Sequence, residues 1–231
     1  MRTALNQLLA NTPKGLLLDL DGTLVDSAAD ITAAVDTLLH DAGLPLAGQG
    51  RVRQWLGNGA KVLVERALAF AYGVNRDRLD SEDFNIHYQH FLKLYRDSNG
   101  RYSRLFDGVL EALTRWHQEG VKLAIVTNKP IEFVRPLLER FELNEFFSVV
   151  VGGDTLALQK PDPAPLLIAC KDLLLLPCDC VMIGDSRDDV EAAKAAKMPV
   201  ICVSYGYNHG EAITVAKPDY VVDSLLELIL L

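Results

Sequence analysis

No stretch of the chain carries the roughly 20 successive apolar side chains that a membrane-spanning helix needs. The longest leucine-rich runs, Leu173–Leu176 and Leu228–Leu231, are far shorter. The first fifteen residues hold Arg2 and Lys14 but no apolar core of signal-peptide length. Basic runs are also missing: 23 Lys and Arg stand against 31 Asp and Glu, a net charge of -8, which leaves no basic face for nucleic acid. Cysteine is scarce. The pair Cys178-x-Cys180 has one intervening residue where a zinc knuckle has two to four, and neither Cys170 nor Cys202 supplies a second pair. All four read as reduced, half-buried thiols. The five histidines are scattered, and only His87 and His90 share a helix face. What remains is a soluble, cytoplasmic protein, monomer or homodimer, with neither membrane nor nucleic acid as partner.

The 231 residues are 49% hydrophobic and 23% charged, enough to bury one large core or a core with an insertion. Short apolar runs recur at Gly15–Leu20, Val121–Thr127, Phe147–Val151, Cys180–Ile183, Val200–Val203 and Tyr220–Val222. Helical patterns lie between most of them. Val109, Leu110, Leu113, Trp116 and His117 follow a period near 3.6, and Asp188–Lys197 is an alanine-rich helix. Strands apolar throughout and alternating with helices predict an α/β fold, a doubly wound parallel sheet covered on both faces. Between Asp26 and Ser103 the rhythm changes to four sets of helically spaced apolar residues with no strand among them. The expected division is therefore a core of residues 1–25 and 104–231 with a helical cap of residues 26–103. Leu24–Ala28 and Asn99–Phe106 are the hinges.

Ligands of an open parallel sheet sit beyond the carboxyl ends of its strands. Asp19, Asp21, Gly22 and Thr23 follow the first run, and Thr127, Asn128 and Lys129 follow the second. A later loop carries Lys160, and Asp185 and Asp189 follow Cys180–Ile183. Such carboxylates side by side raise one another's pKa unless a cation joins them. An oxygen-only set suits magnesium, which also borrows ligands from a substrate phosphate. Asp19 and Asp21, two apart on extended backbone, face one reacting atom, so one can attack phosphorus while the other moves a proton. Gly22 allows close backbone approach, Thr127 and Asn128 offer neutral donors, and Lys160 offers a compensating charge.

In their order, Asp19-Leu-Asp-Gly-Thr-Leu-Val-Asp26, Val126-Thr-Asn-Lys129, Lys160-Pro-Asp-Pro163 and Gly184-Asp-Ser-Arg-Asp-Asp189 resemble the four motifs of the haloacid dehalogenase superfamily of phosphatases. Trp55-Leu-Gly-Asn-Gly-Ala60, Glu65-Arg-Ala-Leu68, Val151-Gly-Gly-Asp154, Lys194-Ala-Ala196 and Ser204-Tyr-Gly-Tyr-Asn208 resemble its bacterial phosphoglycolate phosphatases. The resemblance implies Asp19 as the phosphoryl-accepting nucleophile and Asp21 as the general acid/base. It implies Mg2+ held by the Asp19 carboxylate, the Asp21 carbonyl and the Asp185 carboxylate, with Asp189 shaping the outer shell. The substrate is then a small phosphorylated metabolite, 2-phosphoglycolate first among them, with another metabolite or sugar phosphatase, or a phosphomutase, as alternative.

Lys197 departs from the glycine usual at that position, at a helix end. In the cap, Arg66 is the candidate reader of a substrate carboxylate, with a plain solvated arginine as the rival. Trp55, Phe70, Phe91 and Tyr95 are expected in the cap core, and Pro136 in a first turn or at a kink. A phosphoacceptor signalling module uses similar residues, but Asp21 and the inserted cap argue against it.

Overall fold

The structure, a computed structural model, describes residues 13–229. Arg2 and the last two leucines of the Leu228–Leu231 run lie outside it. In chain order, β1 (Gly15–Leu18) and β2 (Val25–Asp26) lead into four helices. These are α1 (Ala28–Asp41), α2 (Gln49–Trp55), α3 (Gly59–Tyr72) and α4 (Ser81–Ser98). Then come β3 (Arg104–Leu105), α5 (Val109–Gln118), β4 (Lys122–Val126), α6 (Ile131–Arg140) and β5 (Phe147–Val151). The remainder is α7 (Ala164–Asp172), β6 (Cys180–Gly184), α8 (Arg187–Ala195), β7 (Val200–Val203) and β8 (Tyr220–Val222).

Six strands form one parallel sheet in the order β5-β4-β1-β6-β7-β8. Side chains alternate across it, as a pleated strand requires. Leu16 and Leu18 join α5 and α6 (Val109, Leu113, Val134, Leu137) on one face. Leu17 points the other way, to α7 and α8 (Leu166, Ala169, Val190, Ala193). The sheet is thus doubly wound. Each fully buried leucine contributes about 1.5–3 kcal/mol through removal from water.

The four helices between β2 and β3 bury a third cluster of their own, including Ile31, Val35, Leu38, Val64, Leu68 and Phe91. Phe133 of α6 and Tyr207 complete it from the sheet side. The chain enters and leaves this unit through β2 and β3, an antiparallel pair with Val25 opposite Leu105 and Asp26 opposite Arg104. Asp26, expected inside a strand-free segment, therefore lies in a strand; two residues are too few to show a period. Asp30 of α1 ties the exit segment down. Its carboxylate accepts from the Gly100 N–H at 2.8 Å, the Tyr102 N–H at 2.5 Å, the Ser103 N–H at 3.1 Å and the Ser103 hydroxyl.

Three local expectations need correction or sharpening. Cys170, Cys180 and Cys202 are buried rather than half-buried, and Cys178 is exposed. Pro136 lies inside α6, beyond its first turn. Lys197 has φ +55°, the left-handed conformation that ends α8 and that glycine adopts without strain.

Candidate active site at the carboxyl edge of the sheet

The strand order reverses at β1: the chain steps to β4 and β5 on one side and to β6, β7 and β8 on the other. A crevice opens beyond the strand ends at such a reversal. Leu18 is in register with Ile125 and Ile183, and the Asp19 N–H donates to the Ile183 carbonyl at 2.9 Å. The segments after β1, β4 and β6 therefore share one edge.

Asp19 lies at the floor, its carboxylate accepting from the Leu20 N–H at 2.7 Å and paired with Lys160 Nζ at 3.1 Å. Lys160 also donates to Asp189 Oδ1 at 2.6 Å and to the Val126 carbonyl at 2.7 Å. All three ammonium protons are thus engaged, which fixes a buried cation between two carboxylates. Those carboxylates hold the Lys160 ammonium more strongly protonated than usual, despite burial. Burial pushes the Asp19 carboxyl up to about 6, against the downward pull of Lys160 and of the Leu20 and Thr127 donors. The other Asp189 oxygen accepts from the Asp185 N–H, the Ser186 N–H and the Ser186 hydroxyl, at 3.2, 3.0 and 2.7 Å. Asp189 is saturated. It sets the turn into α8 and aims Lys160.

Asp185 accepts from the Thr23 hydroxyl at 2.8 Å and from the Tyr207 N–H at 2.7 Å. Burial first, then the charges of Asp19 and Asp189, hold its carboxyl well above the usual range. Oxygens of Asp19, Asp185 and Asp189 all come within 4.8 Å of one another. Two glycines make room for Asp185. A Cβ on Gly206 would overlap the Asp185 side chain, and so would one on Gly22, whose φ is +92°.

Asp21 stands apart from this cluster. Its Oδ1 accepts from the Ser27 hydroxyl at 2.6 Å, and both oxygens lie 3.1 Å from Lys129 Nζ. The Lys129 side chain, 2% exposed, also donates to the Tyr95 hydroxyl of α4 and lies 4.7 Å from that ring's centre.

The turn between α2 and α3 roofs the site. Asn128 Nδ2 donates to the Gly57 carbonyl at 3.0 Å and to the Lys160 carbonyl at 2.9 Å. Its Oδ1 accepts the Lys160 N–H at 3.0 Å, so the Asn128 amide fastens the roof and the lysine loop. Gln159 donates to the Asn58 carbonyl at 3.3 Å, and Asn58 Nδ2 donates to Asp188 Oδ2 at 2.6 Å. Beneath lies a cavity of about 50 Å3 with Asp19, Asp21, Thr127, Asn128 and Lys129 on its sheet side. Ile31, Leu56, Ala60, Leu63, Phe91 and Tyr95 line its helical side. Phe91 and Tyr95 are thus both helical core and cavity wall.

Among the residues singled out from sequence, Asp19, Asp21, Thr127 and Asn128 line the cavity, Lys160, Asp185 and Asp189 lie at its floor, and Gly22 shapes it. Arg66 does not reach it. The guanidinium donates to the Trp55 carbonyl at 2.6 Å and to Asn58 Oδ1 at 2.7 Å, bracing the roof from behind. Arg66 is thus placed as a tie within the roof and not among the residues lining the cavity. Sequence reasoning passed over Lys129 as a site residue although it stands in the strand-end motif beside Thr127. It placed Tyr95 in the core alone.

Residues 16–203 match the family model described as haloacid dehalogenase-like hydrolase. The chain is 45% identical over 217 residues to phosphoglycolate phosphatase 1 of Pseudomonas aeruginosa, covering 94% of this chain and 79% of that protein. It is 44% identical over 220 residues to the phosphoglycolate phosphatase of Nitrosococcus oceani, covering 94% and 95%. The crystal structure of a predicted phosphoglycolate phosphatase from Haemophilus somnus superposes with a TM-score of 0.89 at 35% identity, covering 95% of this chain and 97% of that one.

Proposed function

The chain belongs to the haloacid dehalogenase-like hydrolase family, and on that premise we propose that it hydrolyses 2-phosphoglycolate to glycolate and phosphate through a phosphorylated Asp19. The observation that carries this reading is the pairing of two differently placed carboxylates at one strand end. Asp19 is tied to Lys160 on the floor, while Asp21 stands against the cavity with Lys129 and Ser27 as its side-chain partners among the described residues. The names of the relatives support the substrate. The apolar helical wall close above Asp19 and Asp21 is compatible with a small leaving group.

In the first step an Asp19 oxygen attacks phosphorus, the bond to the ester oxygen breaks, and Asp21 gives its proton to the departing alkoxide. In the second, Asp21 takes a proton from water, whose oxygen attacks the same phosphorus and releases Asp19 with inorganic phosphate. Lys160 holds the Asp19 carboxylate in line and offsets charge gathering on the phosphoryl oxygens. The Thr127 hydroxyl and the backbone around Gly22 donate to those oxygens. Residues 26–103 act as the cap on a core that includes residues 13–25 and 104–229, and the roof excludes bulk water while the acyl phosphate exists.

The donor set is chemically right for Mg2+: it is all oxygen, buried, and carries three carboxylates against one lysine. With Asp189 saturated, the Asp19 and Asp185 carboxylates and the Asp21 carbonyl would hold the ion. It would supply positive charge to the transferring phosphoryl group.

A panel of phosphorylated metabolites tests the reading. The highest kcat/KM is expected for 2-phosphoglycolate, with sugar phosphates, nucleotides and pyrophosphate behind. A sugar phosphate at the head of the panel, or return of an isomerised phosphate ester instead of free phosphate, overturns it.

A further inference from the structure

With Arg66 turned away, the backbone of the Gly57-Asn58-Gly59 turn, whose glycines line the cavity, is what the roof offers an anionic leaving group. The cavity wall adds a cation. Lys129 is the only Lys, Arg or His lining the cavity among the described residues, and its neighbours on the helical side are Ile31, Leu56, Ala60, Leu63 and Phe91. A carboxylate entering such an apolar space loses its water and is held only where a cation or several donors meet it. The Lys129 ammonium rests against both Asp21 oxygens and the Tyr95 hydroxyl, so a substrate carboxylate is held there by taking the place of one of those three contacts.

Tyr95 strengthens the case by geometry. An ammonium has protons and no acceptor, so the Lys129–Tyr95 bond uses the Tyr95 oxygen as acceptor. Lys129 is the only side-chain hydrogen-bond partner of that hydroxyl among the described residues, which leaves the Tyr95 proton free to donate. Burial and the charges of Asp21 and Asp30 hold the phenol firmly protonated. Lys129 comes from the sheet edge and Tyr95 from α4, so the pair exists only while the two parts of the chain are together.

We infer that Lys129 and Tyr95 form a two-donor clamp for the carboxylate of the leaving group, directly beside Asp21. The inference rests on the phosphoglycolate reading above and names the residues that confer its selectivity. The same ammonium touches both oxygens of Asp21. It thus sets the distance between the group that protonates the leaving oxygen and the carboxylate two atoms further along the substrate.

The test is a matched pair of substrates, 2-phosphoglycolate and 2-hydroxyethyl phosphate, which differ in a carboxylate against a neutral CH2OH. In the parent, kcat/KM favours phosphoglycolate by roughly 100-fold or more. Lys129→Met lowers that ratio roughly 10- to 100-fold, the range for loss of a charged hydrogen bond. Tyr95→Phe, which leaves the Lys129–Asp21 pair in place, lowers it roughly 3- to 10-fold. If Lys129→Met extinguishes turnover, the folded variant is titrated calorimetrically with 3-phosphonopropionate and propylphosphonate, and the same loss is expected in the affinity ratio. A high parent ratio unchanged in both variants overturns the clamp alone. A parent ratio near one overturns the phosphoglycolate reading, and the clamp with it.

Discussion

Asn58 and Asp188, 130 positions apart in the chain, meet in a 2.6 Å hydrogen bond from amide to carboxylate. One stands in the roof over the cavity and the other in the first turn of α8, next to the Asp189 that aims Lys160. Closure of the roof and order in the buried charge cluster are therefore neighbouring events.

Asp188→Ala removes this tie without touching the floor. A hydrogen bond to a charged group contributes about 1.5–3 kcal/mol, part of which other roof contacts retain. KM for the preferred substrate should rise roughly tenfold, with kcat changed less. An unchanged KM in steady-state assays would show that the roof closes without it.

Asp19→Asn should abolish turnover and also stabilise the metal-free protein. The carboxyl is raised from 3.8 to about 6 in the fold, so the folded state binds the proton more tightly than the unfolded chain. This contribution to stability is full below about pH 4 and is lost as pH rises through about 6. At pH 7 the loss is at most ~3 kcal/mol, two units at about 1.4 kcal/mol each. Urea unfolding in chelator should show the asparagine variant to be the more stable at pH 7, with the difference vanishing near pH 4. A variant less stable than the parent at pH 7 contradicts the assignment of strain to this carboxylate.

Magnesium should raise the melting temperature of the parent, since a ligand at 100 times its Kd adds about 2.7 kcal/mol. Excess chelator should silence hydrolysis. Asp185→Ala should lose most of the thermal shift at the same magnesium concentration. Full parental activity in chelator would remove the cation from the mechanism.

Arg66→Ala should lower kcat/KM for phosphoglycolate and for an aryl phosphate by the same factor, because the guanidinium braces the Trp55 carbonyl and the Asn58 side chain and is not among the residues lining the cavity. A selective loss on phosphoglycolate would return the carboxylate-reading role to it.

The sheet was legible because its strands read as largely apolar runs: β1 and β6 are buried throughout, and the edge strands β5 and β8 keep that composition although partly exposed. Phe147–Val151, Val200–Val203 and Tyr220–Val222 begin and end where the sequence places them. Helix boundaries and faces were less legible. In α3 the apolar spacing pointed to Val62, Leu63, Ala67 and Phe70; Leu63 and Ala67 are buried together with Val64 and Leu68, whereas Val62 and Phe70 lie at the margin of the buried face. The site's carboxylates could be read from strand-end positions because the parallel sheet brings those ends together. The Lys129–Tyr95 contact could not, because it joins a sheet edge to a helix face and depends on how the helical unit sits. Tyr207 stands in the Ser204–Asn208 motif, but that motif did not disclose its contacts, an N–H that holds Asp185 and a hydroxyl that donates to Asp26 at 2.6 Å.

The two-residue crossing at β2 and β3 has a topological corollary. Asp26 and Arg104 sit opposite each other, so the whole helical unit begins and ends at adjacent points in space. Deleting or replacing everything between them leaves a gap that a tight turn can bridge, without shifting the register of any strand in the main sheet. The segment between Asp26 and Arg104 can thus change in length while the two points that tether it stay fixed.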